Sequence, residues 1–118
     1  MSTYSTYNFK DHFLGDTFDA VTMTYSVDGT PVDLSGVGVE INMWWRYGSP
    51  TGTVSKEFSI GSGITLTDGA NGEFQIDDFV IDLDVGVHYF DIEFYVDGSR
   101  KTRLKGTIKI LQDVTQPA

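Results

Sequence analysis

Apolar and polar residues alternate with a period of two through most of the chain, and no stretch repeats apolar residues at the i, i+3, i+4, i+7 spacing of a helix face. The chain therefore reads as all-β. A first strand is predicted over residues 17–27, with Val21, Met23, Tyr25 and Val27 on one face, ending at Asp28-Gly29, a pair that tolerates the positive φ of a turn. Phe18 and Ala20 have the other parity, which predicts a bulge or twist at the start. The strongest alternation follows: Val37, Val39, Ile41, Met43, Trp45 and Tyr47 point one way, and Glu40, Asn42, Trp44 and Arg46 the other. Gly48-Ser49-Pro50-Thr51-Gly52 is a loop by its Gly and Pro content, and Val54, Phe58 and Ile60 mark a third strand. Gly61-Ser62-Gly63 and Asp68-Gly69-Ala70-Asn71-Gly72 bracket a short strand at residues 64–67, and Phe74 and Ile76 lie on the next. Residues 77–86 mix acids with apolar side chains and read as a crossing from one edge to the closing hairpin.

That hairpin carries two buried sets, His88, Phe90, Ile92, Phe94 and Val96 against Thr102, Leu104, Gly106, Ile108 and Ile110, and every one is even-numbered. Residues directly opposite in an antiparallel pair share a face, so the connection must hold an odd number of residues. A three-residue loop, Asp97-Gly98-Ser99, satisfies this. It sets Phe94 opposite Thr102 and Ile92 opposite Leu104 inside, with Asp91 opposite Lys105 and Glu93 opposite Arg103 outside. The basic cluster Arg100, Lys101, Arg103, Lys105 and Lys109 then reads as half of a cross-strand charge pattern rather than a ligand patch. Short strands at near-regular spacing imply an antiparallel β-sandwich or barrel of about seven to eight strands, spanning residues 16–112. Residues 1–15 form an N-terminal arm and residues 113–118 a C-terminal tail, neither with a repeating buried face. Tyr4, Tyr7, Phe9, Phe13 and Leu14 are too apolar for a solvated tail, so the arm either covers an edge of its own domain or docks on a neighbouring subunit.

A length of 118 residues fits one domain, and 40% hydrophobic residues suffice for a core. Without cysteine there is no disulfide framework, thiolate metal site or cysteine nucleophile. Seventeen acids against eight bases give a net charge of -9, which opposes direct binding to nucleic acid or an anionic membrane. No apolar run reaches the length of a membrane span and no export signal is visible, so a non-membrane protein is expected.

Catalytic chemistry finds no constellation in these residues. His12 and His88 are the only imidazoles, and His88 shares the parity of the buried series, which makes it a core-edge histidine. There is no G-x-S-x-G elbow and no phosphate-binding loop, so neither an enzyme nor a cofactor is expected. Asp77, Asp78, Asp82 and Asp84 are weak metal candidates whose spacing matches no EF-hand loop, against the simpler reading of solvated acids on an edge connection. Alternation sends Trp44 outward beside Arg46, where ring and guanidinium can stack, and Tyr89 and Tyr95 share the outer face of the closing hairpin. An outward tryptophan marks a subunit interface or, as the alternative, a platform for a surface glycan.

The ordered segments Gly15-Asp16-Thr17-Phe18, Asp28-Gly29-Thr30-Pro31-Val32-Asp33-Leu34-Ser35-Gly36, Gly61-Ser62-Gly63-Ile64-Thr65 and Asn71-Gly72-Glu73-Phe74-Gln75-Ile76 resemble tailed-bacteriophage virion proteins. Gly86-Val87-His88-Tyr89-Phe90-Asp91-Ile92, Asp97-Gly98, Lys101-Thr102, Gly106-Thr107 and Asp113-Val114-Thr115 are similar to the same immunoglobulin-like domains, among them the N-terminal domain of the phage baseplate upper protein. The resemblance spans residues 13–115 and rests on the order and spacing of turn motifs. It implies an immunoglobulin-like sandwich acting by assembly in the virion, at the baseplate, tail, neck or head, as multiple copies or a homo-oligomer among other virion proteins. A baseplate upper protein continues after this domain into a long fibre-bearing region, whereas this chain stops at Ala118, which favours a stand-alone subunit. The residues expected to make its contacts are Tyr4, Tyr7, Phe9, Phe13, Trp44, Arg46, Tyr89 and Tyr95.

Overall fold

The computed structural model describes residues 5–112. It is all-β, with one 3-10 turn at Gly69–Asn71. In chain order the strands are β1 (Ser5–Thr6), β2 (His12–Phe13), β3 (Thr17–Phe18), β4 (Val21–Thr24), β5 (Ser26–Val27), β6 (Thr30–Pro31) and β7 (Glu40–Tyr47). There follow β8 (Val54–Ile60), β9 (Gly63–Asp68), β10 (Glu73–Ile76), β11 (Phe79–Val80), β12 (Gly86–Val96) and β13 (Ser99–Leu111).

One sheet dominates, in the order β1-β13-β12-β7-β8-β9-β10-β4, with β2 also paired to β13; β3 with β11 and β5 with β6 form two small pairs. The sheet is mixed, which corrects the expectation of purely antiparallel strands: β1 and β2 run parallel to β13, and β8 runs parallel to β9. The second parallel pair arises at Gly61-Ser62, where Ser59 and Ser62 exchange backbone hydrogen bonds and the chain turns a corner. Gly63 must lack a side chain there, because a Cβ would sit 2.6 Å from the Phe58 ring in a left-handed backbone conformation. Beyond this corner the sheet curls, so that Phe74 of β10 meets Phe94 of β12 edge-on at 5.6 Å between ring centroids.

The curl encloses a core supplied by alternate residues: Ile41, Met43 and Trp45 from β7, Phe90, Ile92 and Phe94 from β12, Ile108 and Ile110 from β13, and Phe58, Ile64, Phe74 and Ile76 from the far half. Its centre is aromatic. Trp45 lies within 6.5 Å of the Phe9, Phe18, Phe58, Phe79 and Phe90 rings, measured between centroids. The Trp45 Nε1–H is buried there without a hydrogen-bond partner.

The described part of the arm lies on its own sheet. Tyr7, Phe9 and Leu14 donate their backbone N–H groups to Lys105, Thr107 and Leu111 of β13, at 2.8–2.9 Å. Gly106 permits the approach, since a Cβ would lie 1.6 Å from the Tyr7 carbonyl oxygen.

The closing hairpin solves its parity problem differently from the expected three-residue loop. Val96 pairs with Ser99 across a two-residue Asp97-Gly98 turn, both residues at positive φ, and the odd residue is Arg103, bulged between the Ile92–Leu104 and Glu93–Thr102 pairs. Asp91 opposes Lys105 and Ile92 opposes Leu104 as expected, but Phe94 opposes Lys101, and Glu93 forms its ion pair with Arg100 rather than Arg103. The predicted 17–27 strand is divided into β3, β4 and β5, with β3 turned away to pair with β11. Val37 precedes β7 and is fully exposed, because Gly36 and a left-handed Gly38 interrupt the strand before it. Tyr47, expected inside, ends β7 at the rim of the core with 40% of its surface open, its hydroxyl donating to the Val85 carbonyl at 2.7 Å.

Candidate functional site

The outer faces of β7, β12 and β13 form the floor of a groove of about 660 Å³. Register places the floor side chains in rows: Arg46 beside Tyr89, Trp44 beside Asp91 and Lys105, Asn42 beside Glu93. The loop residue Pro50 and the arm residues Thr6 and Asn8 stand along its margins. Each central strand is paired on both sides, so the floor presents side chains rather than unpaired backbone.

Those side chains are held by one another. Arg46 lies 5.4 Å from the centre of the Trp44 ring while its Nη1 donates to the Gly52 carbonyl at 2.9 Å. Arg100 forms a salt bridge with Glu93, which raises the guanidinium pKa further, and packs over the Tyr95 ring at 5.1 Å. Burial on the floor pushes the Asp91 carboxyl above its ordinary range, against the opposing pull of Lys105. Asn8 Oδ1 accepts from the Thr107 backbone and hydroxyl, fixing the arm side. Trp44 remains 44% exposed.

A second cleft, of about 640 Å³, opens where the curled sheet does not close. One side is β4 and the residues after it, the other Ser5, Tyr7, Arg103 and Leu104, with Phe74, Ile92 and Phe94 beneath. Among the described residues the outer edge of β4 has no ladder partner. A polar tie crosses the cleft from Arg103 Nε to the Tyr25 hydroxyl at 3.0 Å, with the Tyr25 ring stacked on Phe94 at 4.1 Å. No charged residue lies between Asp19 and Asp28.

Of the expected contact residues, Trp44, Arg46 and Tyr89 share the groove, while Tyr95 lies outside its lining, beneath Arg100. Tyr7 is exposed and borders the cleft; Phe13 is exposed on β2. Phe9 requires a correction: it is 9% exposed and belongs to its own core, because the arm pairs with β13 and directs the ring onto Phe18 and Phe90. Tyr4 lies outside the described residues. Asp77, Asp78, Asp82 and Asp84 do not converge, since Phe79–Val80 is extended as a strand and Ile81 is buried between them. Asp77 instead accepts from Thr65 and Gln75, and among the described residues no three histidine or carboxylate side chains form a metal-binding group. His88 is fully buried, its Nε2–H donating to the Asp84 carbonyl and its Nδ1 facing the Ser55 hydroxyl at 2.8 Å.

Sequence reasoning missed Thr6 and Asn8 as groove residues and the β4 edge as a surface. The signal for the first was Gly106, whose place in an otherwise alternating strand marks where another backbone approaches.

What these features define is an all-β chain with two recessed surfaces of different chemistry. No protein-family model matches the sequence, and no curated protein matches it. Among the described residues no helix is long and apolar enough to cross a membrane.

Proposed function

We propose that the chain is a non-enzymatic structural or adaptor subunit of a tailed-phage particle, an immunoglobulin-like sandwich whose two layers are the halves of the curled sheet. It works by assembly with other virion proteins and with further copies of itself, in particles formed in the host cytoplasm. The phage assignment rests on the order of turn motifs over residues 13–115, several of which occupy turns: Asp28-Gly29 joins β5 to β6, Gly61-Ser62 makes the corner, and Asp97-Gly98 closes the last hairpin.

The observation that carries the assembly role is the unclosed cleft. An uncharged strand edge that has no ladder partner among the described residues, above an apolar floor, is a template for one more strand, and isolated proteins usually guard such an edge with lysine, proline or a covering loop. A neighbouring subunit's extended segment would complete the sheet.

Mass spectrometry and cryo-electron microscopy of purified particles test the reading. We expect this chain as a stoichiometric component with a foreign strand beside β4, and we expect Thr22→Lys with Thr24→Lys to prevent incorporation while leaving a folded monomer. Absence from the particle would sink the virion role, and an empty β4 edge in ordered copies would sink the strand-addition role.

A further inference from the structure

We propose that the outer-face groove binds a neutral saccharide, stacked on the open part of Trp44 with its hydroxyls held by Asn42, Asp91 and Glu93. This is a second binding site, beyond the assembly role and on a different surface.

The size is suitable, at about 660 Å³, within the range of small-molecule sites. The chemistry of the lining decides the occupant. Three of the chain's eight cationic residues lie here, yet Arg100 is bridged to Glu93, Lys105 stands in register with Asp91, and Arg46 is held by the Gly52 carbonyl. An anion would compete with carboxylates already in place, so a phosphate or an acidic peptide gains little. An apolar peptide would cover these polar groups without replacing their water, at a cost for each one left unpaired.

A polyol fits both halves of the surface. Each hydroxyl donates and accepts, so it can give to Asp91 or Glu93 and take from the Asn42 amide or a free guanidinium N–H. The C–H face of the ring needs an apolar plane, and Trp44 keeps 44% of its surface open with Arg46 already against it. The sheet supplies rigidity, because neighbouring strands about 4.8 Å apart hold these groups in fixed rows.

The sequence contains two tryptophans, one on each face of β7, so a ¹⁵N-labelled sample carries its own control. Cellopentaose, maltopentaose, chitopentaose and galactotetraose are titrated separately while both indole N–H signals are followed. At least one should shift the Trp44 signal saturably, with a dissociation constant of about 1 mM or below, and leave Trp45 in place. Trp44→Ala and Asp91→Asn should each weaken that binding at least about tenfold, or about 1.4 kcal/mol, the unchanged Trp45 signal confirming the fold. No shift with any of the four at about 10 mM, unchanged affinity in Trp44→Ala, or tighter binding of trigalacturonate or a polyglutamate peptide would each overturn the assignment. None of these outcomes touches β4, so the assembly reading stands or falls separately.

Discussion

The groove and the cleft enclose nearly the same volume, about 660 and 640 Å³, but they lie at opposite kinds of place in one sheet. The groove covers the middle, where every strand is flanked and the backbone has spent its donors and acceptors on its neighbours. Only side chains face outward there, and recognition depends on how they are spaced. The cleft lies where the sheet ends, and among the described residues the outer edge of β4 has no ladder partner. Side-chain substitution can therefore redesign the first surface, whereas the second changes only when a strand edge is blocked or filled.

The two regions share one wall. Thr6 and Asn8 border the groove, and Ser5 and Tyr7 border the cleft, so the arm serves both through its alternation. Phe9 anchors that arm in the core, and Phe9→Ala should cost about 3–5 kcal/mol, the largest effect, and open both surfaces together. Urea unfolding with limited proteolysis of residues 5–14 measures it; loss of stability with an intact, protected arm would show that the wall does not depend on this ring. Tyr25→Phe acts on the cleft alone. It keeps the stack on Phe94 and removes the acceptor for Arg103, an expected loss of about 1 kcal/mol in equilibrium unfolding, with saccharide titrations unaltered.

Asp91→Asn acts on the groove alone, and its effect depends on pH. The folded carboxyl is raised above the ordinary 3.8, so its contribution to stability is present below that value and lost as pH climbs through the raised one. The urea midpoint of the Asn variant should therefore gain on that of the parent as pH rises from the carboxylate range toward neutrality. A variant that instead loses ground to the parent as pH rises would mean that Lys105 outweighs burial. The smallest change is Arg100→Gln: the Arg100–Glu93 bridge is solvent-exposed, so calorimetry should find no measurable shift in melting temperature.

Period-two alternation was enough to read the all-β class, the inward Trp45, the outward Trp44 and the buried His88, because burial on a sheet follows parity. It was also enough to require an odd residue in the last hairpin. It could not say where that residue sits, since a longer turn and a bulge satisfy parity equally, and Asp97-Gly98 closes in two residues with its left-handed backbone. Arg103 took the extra place and reaches Tyr25, 78 positions away in the chain. The arm was legible as apolar but not as located, because β1 and β2 are two residues each and too short to show a period. The corner at Gly61-Ser62 appeared only as a break, and nothing local distinguishes a break that reverses a strand from one that turns the sheet. The groove depended on register across three strands and the arm, which no single segment encodes.

The pairing of the arm with β13 also fixes an order of events. Asn8 and Thr107, which hydrogen-bond each other, are 99 positions apart, whereas half of the pairings in the sheet join strands that follow one another in the chain. Closing so long a loop carries an entropic cost that is recovered only once its contacts form, and during synthesis the partner strand emerges well after the arm. The arm is therefore among the last segments to be placed. Until then Phe9 has no pocket, and a chain halted before residue 104 has no strand on which to lay Ser5 and Thr6.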